Sequence, residues 1–141
     1  MMVREYRESD LAALKRIHAA QTFPYTFPDL QNPLFLTRIV LTESGGAEER
    51  IRGAAILRLT AEAYLLLDPA AGTPKERWQS LLVLHEAARR DAWQRGLEDV
   101  HAWLPPAIAQ KFGRRIEKLG WTRDDDWTPY CKRLVPNDAK L

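Results

Sequence analysis

The stretch that decides the fold reads DPAAGTPKERW and spans Asp68–Trp78. Within it, Thr73–Glu76 matches a capping box with proline at the first helical position, so the sequence predicts a helix over Pro74–Arg95. Apolar runs on either side, Ala63–Leu67 and Val100–Leu104, predict two strands, the first of them central and buried on both faces. Strand, loop, helix and strand in this order form a βαβ unit, whose strands are parallel and whose strand-to-helix loop often binds ligands.

The N-terminal residues predict one strand, one helix and an irregular arm. The strand is Val3–Tyr6, and the helix is Asp10–Ala20, where apolar residues recur at helical spacing behind Ser9 as the expected N-cap. His18 on this helix is a candidate base or ligand, with a packed helix residue as the alternative. The arm, Thr22–Pro33, combines prolines with aromatic residues, and this density of proline prevents a long helix or an inner strand. We expect the arm to fold over the sheet, where its aromatic side chains either line a cleft or simply pack.

The middle of the chain predicts an antiparallel meander. Its first two strands are Phe35–Thr42 and Ile51–Thr60, joined by a solvent-exposed hairpin turn at Glu43–Arg50 that contains two adjacent glycines. A second turn at Ala61–Glu62 leads into Ala63–Leu67 as the third strand.

A second helix and a last strand are predicted near the C-terminus. The helix is Ala107–Leu119, and Gly120 is expected to end it. A turn rich in aspartate, Asp124–Asp126, precedes a strand at Trp127–Leu134. Residues 135–141 are expected to form a frayed tail.

The composition fits one globular domain and argues against several classes of protein. The chain has 141 residues, of which 45% are hydrophobic and 28% charged, with a formal net charge of +2. Such a small charge does not indicate a nucleic-acid partner, and no apolar run approaches the roughly 20 residues needed to cross a bilayer. One cysteine, Cys131, cannot form an internal disulfide, which favours the cytoplasm. The histidines and the cysteine do not stand at metal-ligand spacings, so no metal is expected.

The predicted order of elements, β-α-arm-β-β-β-α-β-α-β, resembles that of the GNAT superfamily of N-acetyltransferases over residues 3–134. Three short sequences carry the resemblance in the expected order. They are Val3–Glu5 leading into Ser9–Leu11, then Leu67–Pro69, and finally Glu117–Trp121. The resemblance implies a single mixed α/β (α+β) domain, in which helices flank a mostly antiparallel central sheet with one parallel pair of strands.

The resemblance also implies an acyl-CoA-dependent N-acyltransferase. Acetyl-CoA would lie where the strand ending at Leu67 diverges from the strand starting at Val100, and an amine would attack the thioester directly in a ternary complex. The helix start after Gly72 would hold the pyrophosphate, while a backbone N–H near Leu66–Asp68 would polarise the thioester carbonyl. The implied cofactor-binding residues are Leu66, Leu67, Asp68, Gly72, Thr73, Lys75, Glu76, Arg77 and Trp78.

The chain departs from the family pattern at two places. The pyrophosphate loop lacks a second glycine, and Glu76 folded back onto its cap would put a carboxylate where phosphate should bind. Lys75 and Arg77 could offset that charge as side-chain anion ligands. At the position where many family members carry an acidic tyrosine, this chain has Ile116, which has no exchangeable proton.

Proton transfer therefore needs other residues, and several candidates remain open. Tyr130 or Cys131 could protonate the leaving thiolate, while Glu62 or Asp68 could accept the amine proton through water. For Asp68, a turn or cap residue is the alternative. His101 on the strand after the long helix is a further candidate for a functional role, with its side chain pointing either to the cleft or to the opposite face of the sheet. On the last helix, Lys111, Arg114, Arg115 and Lys118 form a basic face, which is either solvated or near the 3′-phosphate of CoA.

Two other functions stay open at the level of sequence. The first is a catalytically inactive GNAT-like protein that binds a ligand or a protein partner, which the missing glycine and Ile116 both favour. The second is a partner-binding or homodimerisation module that uses the aromatic arm and Trp127. As an enzyme, the protein would take a small-molecule or protein amine, with no nucleic acid or membrane as a partner.

Overall fold

The computed structural model describes residues 1–23, 25–125 and 127–134. Its residues cluster into two units, Met1–Ala102 and Trp103–Leu141, and each unit is described by itself below.

The first unit is built on a three-stranded antiparallel sheet in the order β1-β2-β3. Strand β1 is Met2–Glu5, β2 is Phe35–Gly45 and β3 is Glu48–Arg58. The strands β2 and β3 form a tight hairpin at Gly46, whose φ of 78° suits glycine because it has no Cβ. The predicted turn over Glu43–Arg50 was too wide, because most of these residues pair across the hairpin.

The core of this unit lies between the sheet, the first helix and the arm. Helix α1 is Leu11–Ala19, close to its predicted bounds. Its Leu14 is buried with Leu30 of the arm and Val40 of β2. The arm contains no helix or strand among its described residues, as its prolines predicted, and it contributes Phe27 to the same cluster. The arm thus folds over the sheet by burying part of its apolar surface.

The predicted N-cap of α1 was wrong. Ser9 lies inside a short 3₁₀ helix, Glu8–Asp10, and Asp10 takes the N-cap position. The Asp10 carboxylate does not cap α1; it accepts hydrogen bonds from the guanidinium of Arg4 at 2.8 and 2.9 Å and from the N–H of Arg7 at 2.7 Å. The carboxylate thus caps the 3₁₀ helix through the N–H of Arg7 and pairs with Arg4 at the same time.

The third strand of the predicted meander was also wrong. Strand β4 is only Ala61–Glu62, two residues that the sequence predicted as a turn, and it pairs in parallel with β5, Val100–His101. The two strands form a separate small sheet, so the main sheet takes β1 as its third strand. The segment Ala63–Leu67 is not a strand, and Tyr64 and Leu66 within it are 81% and 92% exposed. A parallel pair on either side of α2 is present, as predicted, but its first strand precedes the predicted Ala63–Leu67 and both strands are shorter than expected.

The long helix α2, Pro74–Gln94, ends one residue before its predicted bound. The capping box at Thr73 and Glu76 is present, as predicted. At the other end, Gly96 has a φ of 80°, and the N–H of Leu97 donates to the carbonyl of Ala92. This is the Schellman arrangement that glycine favours after a helix.

The second unit contains helix α3, Pro106–Glu117. Gly120 ends it with a φ of 94°, as the sequence predicted. The predicted last strand, Trp127–Leu134, was wrong, because these residues form neither helix nor strand and their side chains are exposed. The expected tail, 135–141, lies outside the described residues, and the single domain over 3–134 stays a prediction.

Within the described ranges, each helix is either too short or too polar to cross a membrane.

Candidate functional site

The loop before α2 is closed by its own side chains. The Thr73 hydroxyl accepts from the N–H of Glu76 at 3.2 Å, and the Glu76 carboxylate accepts from the N–H of Thr73 at 2.6 Å. Asp68 accepts from the N–H of Ala70 at 2.9 Å. This bond fits the turn residue that was the alternative to a base at this position. The Glu76 carboxylate therefore lies at the helix start, where the family resemblance would put a phosphate.

Gly72 is required in this loop for two reasons. Its φ is 68°, and a Cβ at this position would collide with the Glu76 carboxylate. Glycine thus allows the capping carboxylate to approach the loop closely, which is a structural role that does not need a ligand.

Positive charge stands beside this carboxylate. The Arg77 guanidinium donates to the carbonyl of Gly72 at 2.8 Å, so it bends back over the loop, and the side chain of Lys75 is exposed. Trp78, one turn into the helix, is half-buried. If Glu76 swings away from its cap, the loop presents an arginine and the positive end of a helix to an anion.

The parallel strands separate just before this loop. Ala61 and Glu62 pair with Val100 and His101, and the last bond is from the N–H of Ala63 to the carbonyl of His101 at 2.7 Å. Among the described residues, 64–67 belong to no strand. The strand pairing therefore ends at Ala63, before the predicted strand end at Leu67, and the implied divergence of the two strands stays a prediction.

The candidate base Glu62 and the candidate residue His101 are register partners in this pair. The hydrogen bond with Glu62 raises the pKa of the Tyr64 hydroxyl above its ordinary value. His101 Nε2 lies 3.7 Å from the carboxylate of Asp99, which is also bound by Arg58 at 2.7 Å. The first unit thus brings Glu62 and His101 to one short sheet, while Tyr64 and Asp68 lie in the segment that follows β4.

The other candidate acids lie in the second unit. Tyr130 is 94% exposed, and Cys131 is an exposed free thiol. Neither side chain is held in a pocket of its own unit, so the structure adds no support to a proton-donor role. The basic face predicted on α3 is also exposed at Lys111, Arg114 and Lys118.

An open groove of about 580 Å³ lies at the C-terminal end of α1, bounded by the arm. It is lined by His18, Ala19, Gln21, Thr22, Phe23, Tyr25 and Thr26. The sequence signal for this groove was the density of aromatic residues in the arm, although sequence alone could not show which rings would stay exposed. Phe23 is 58% and Tyr25 40% exposed, whereas Phe27 packs against the core.

His18 is held by this arm. Its Nε2 lies 2.7 Å from the backbone carbonyl of Tyr25, and its ring is edge-on to the rings of Tyr25 at 4.5 Å and Phe27 at 5.3 Å between centroids. The histidine that the sequence marked as a candidate is therefore oriented by the arm, at the wall of a groove.

The described residues contain no group of three or more His, Cys, Asp or Glu side chains arranged to hold a metal ion. Comparisons with protein-family models, with curated proteins and with solved structures found no match to this chain.

Proposed function

We propose that this protein is a divergent GNAT-type N-acyltransferase that moves an acyl group, acetyl in the simplest case, from acyl-CoA to an amine. The observation that supports the proposal is the short parallel pair β4–β5, whose pairing ends at Ala63, ahead in the chain of the loop and the start of the long helix. Parallel strands that diverge beside a helix N-terminus provide backbone N–H groups for a thioester carbonyl and a positive end for phosphates. The amine would attack the thioester directly, so that positioning supplies most of the rate enhancement.

The capping carboxylate sets a condition on this proposal. CoA can bind at the helix start only if Glu76 leaves the N–H of Thr73, which costs the loop about 1 kcal/mol of capping energy. Arg77, which lies over the carbonyl of Gly72, then becomes the nearest cationic ligand for the pyrophosphate. Replacing the carboxylate by an amide should therefore favour CoA, because the negative charge is lost and the weaker cap hydrogen bond is easier to break.

Calorimetric titration with acetyl-CoA tests the proposal on the wild type and on three variants. We expect Glu76→Gln to bind acetyl-CoA about tenfold more tightly than the wild type and Arg77→Gln about tenfold more weakly. Arg95→Gln is the matched control, since its guanidinium pairs with Asp91 at the far end of the same helix. The appearance of free thiol with an added amine then measures acyl transfer itself. If neither the wild type nor Glu76→Gln binds acetyl-CoA at millimolar concentration, the enzyme proposal is refuted.

That outcome would favour the alternative of a GNAT-like protein that has lost catalysis and binds another ligand or a partner. The observation that supports this alternative is the closed helix start, where the capping box of Thr73 and Glu76 and the close approach of Gly72 are formed without a ligand. A wild-type protein that binds acetyl-CoA and releases thiol with an amine would exclude this alternative.

A further inference from the structure

We propose that the groove at the end of α1 binds a primary amine that carries an aromatic ring, with its ring against Phe23 and Tyr25 and its amine N–H donated to His18 Nδ1. Such an amine would be the acceptor in the proposed acyl transfer. The inference rests on that proposed function only for the fate of the amine after it has bound. The binding itself requires no CoA, so it can be tested separately.

The ring of the ligand would be recognised by two exposed aromatic side chains. The rings of Phe23 and Tyr25 stack with centroids 5.4 Å apart and planes 26° apart, yet both remain substantially exposed beside the groove. A third ring can extend such a stack in offset or edge-on geometry, and each aromatic pair contributes about 0.5–1.5 kcal/mol beyond area burial. The two rings thus form an apolar wall that is exposed to solvent.

The amine would be recognised by the remaining nitrogen of His18. The Tyr25 carbonyl can only accept a hydrogen bond, so His18 Nε2, at 2.7 Å, carries the hydrogen. In the neutral imidazole the other nitrogen, Nδ1, is then an acceptor. The edge-on rings of Tyr25 and Phe27 hold the imidazole plane, which leaves the acceptor in a defined direction. An N–H or O–H donor matches this nitrogen, whereas a carboxylate does not.

The described residues that line the groove include no Asp, Glu, Lys or Arg. Hydrogen bonds and ring contacts, rather than ion pairs, would therefore select the ligand, and the Nδ1 acceptor favours a group that donates an N–H. The hydroxyls of Thr22 and Thr26 also lie in the lining and offer further acceptors.

Three small amines separate the parts of this recognition when they are titrated into the isotope-labelled full chain and followed by NMR. The probe 2-phenylethylamine has both the ring and the N–H, 2-cyclohexylethylamine lacks the aromatic ring, and phenethyltrimethylammonium lacks the N–H. We expect the first to shift the amide signals of residues 18–26 and the His18 ring nitrogens at millimolar concentration. The other two should bind about fivefold to tenfold more weakly.

Two variants and one control test the assigned residues. Phe23→Leu removes the ring but keeps apolar bulk, and His18→Gln keeps a donor for the Tyr25 carbonyl but removes the Nδ1 acceptor. Each should weaken 2-phenylethylamine by about fivefold to tenfold. Trp93→Leu, which removes a 74% exposed ring from α2, should change nothing. Equal binding of the three probes, unchanged binding in both groove variants, or no shifts at residues 18–26 would each overturn the proposal.

The two proposals fail in different ways. If 2-phenylethylamine binds at the groove but acetyl-CoA does not bind anywhere, the aryl-amine site stands and the acyl transfer is refuted. If acetyl-CoA binds and thiol is released with other amines while residues 18–26 stay unaffected, the acyl transfer stands and the groove is not the acceptor site.

Discussion

Arg4 holds two carboxylates at once and thereby joins three parts of the first unit. Its guanidinium donates to both oxygens of Asp10 at 2.8 and 2.9 Å and to both oxygens of Glu49 at 3.0 Å. Asp10 precedes α1, Glu49 belongs to β3 and Arg4 itself to β1. Because guanidinium and carboxylate groups are both planar, each pair fixes an orientation as well as a distance. This residue therefore positions the helix whose far end carries His18.

The buried half of this network should make stability depend on pH. The Arg4 guanidinium, followed by the N–H of Arg7, holds the pKa of the Asp10 carboxyl below its usual value, and Arg4 does the same for the pKa of Glu49. A lowered pKa in the folded state stabilises the protein above the unfolded value of about 4. That stabilisation is lost as the pH falls through the lower folded pKa.

We expect Asp10→Asn to lower the free energy of unfolding by about 2 kcal/mol at pH 7, since the charge-assisted bonds to Arg4 are lost. Urea titrations between pH 7 and pH 3 should show the difference from the wild type shrinking below pH 4 or so. The control is Glu48→Gln, which replaces an exposed carboxylate in the β2–β3 hairpin next to Glu49 and should change stability little at any pH. A difference that stays constant with pH would contradict the assigned role of the Asp10 charge.

At the scale of elements, both long helices end in the same way. After α2, Leu97 donates to Ala92, and after α3, Trp121 donates to Ile116, with a glycine of positive φ before each donor. These ends are written in the local sequence, because the carbonyls that need partners lie within five residues of the glycine. The two helices differ in the helix propensity of their interior residues, because α3 contains Gly113.

Two glycine replacements should therefore act in opposite directions. Gly96→Ala forces a side chain into the left-handed region at φ 80° and should destabilise the protein by about 1 kcal/mol. Gly113→Ala meets no atom within 4 Å in the interior of α3 and should stabilise that helix by roughly 0.5–1 kcal/mol. Thermal unfolding of the two variants beside the wild type measures both effects. Destabilisation by Gly113→Ala would contradict the open space around the position of the added Cβ atom.

At the scale of the molecule, the two sheets of the first unit are joined by side chains rather than by strand pairing. Arg58 at the end of β3 donates to Glu98 at 3.1 Å and to Asp99 at 2.7 Å, just before β5. Asn32 of the arm donates to the same Glu98 at 2.5 Å. The segment just before β5 is thus tied to the main sheet by Arg58 and to the arm by Asn32.

We expect Arg58→Gln to lower the free energy of unfolding by about 1 kcal/mol, because the pairs are partly exposed and solvent screens them. Hydrogen exchange should also quicken at the amide of Ala63, which closes the parallel pair. Arg95→Gln, which removes an exposed pair within α2, serves as the comparison. If both variants behave alike, Arg58 does not couple the sheets.

Some features of the candidate site depend on interactions between neighbours in the chain, and others depend on contacts between distant segments. The Thr73–Glu76 cap and the return of Glu76 onto it were readable from four adjacent residues. The tautomer of His18 and the exposure of Phe23 were not, because both depend on how the arm closes over α1. Tyr130 was a reasonable acid by residue type, and only its exposure of 94% shows that no pocket of its unit holds it.

By itself, the sequence determined the long capped helix, the glycine ends, the irregular arm and the presence, though not the residues, of a parallel pair on either side of α2. Each of these follows from interactions between near neighbours in the chain, or from a spacing that only a crossover can satisfy. Only the tertiary structure decided that β1, rather than Ala63–Leu67, completes the main sheet, and that two residues suffice for β4. Strand partners compete through burial over the whole chain, and several apolar segments here have similar local propensity, so their pairing is settled by packing rather than by pattern.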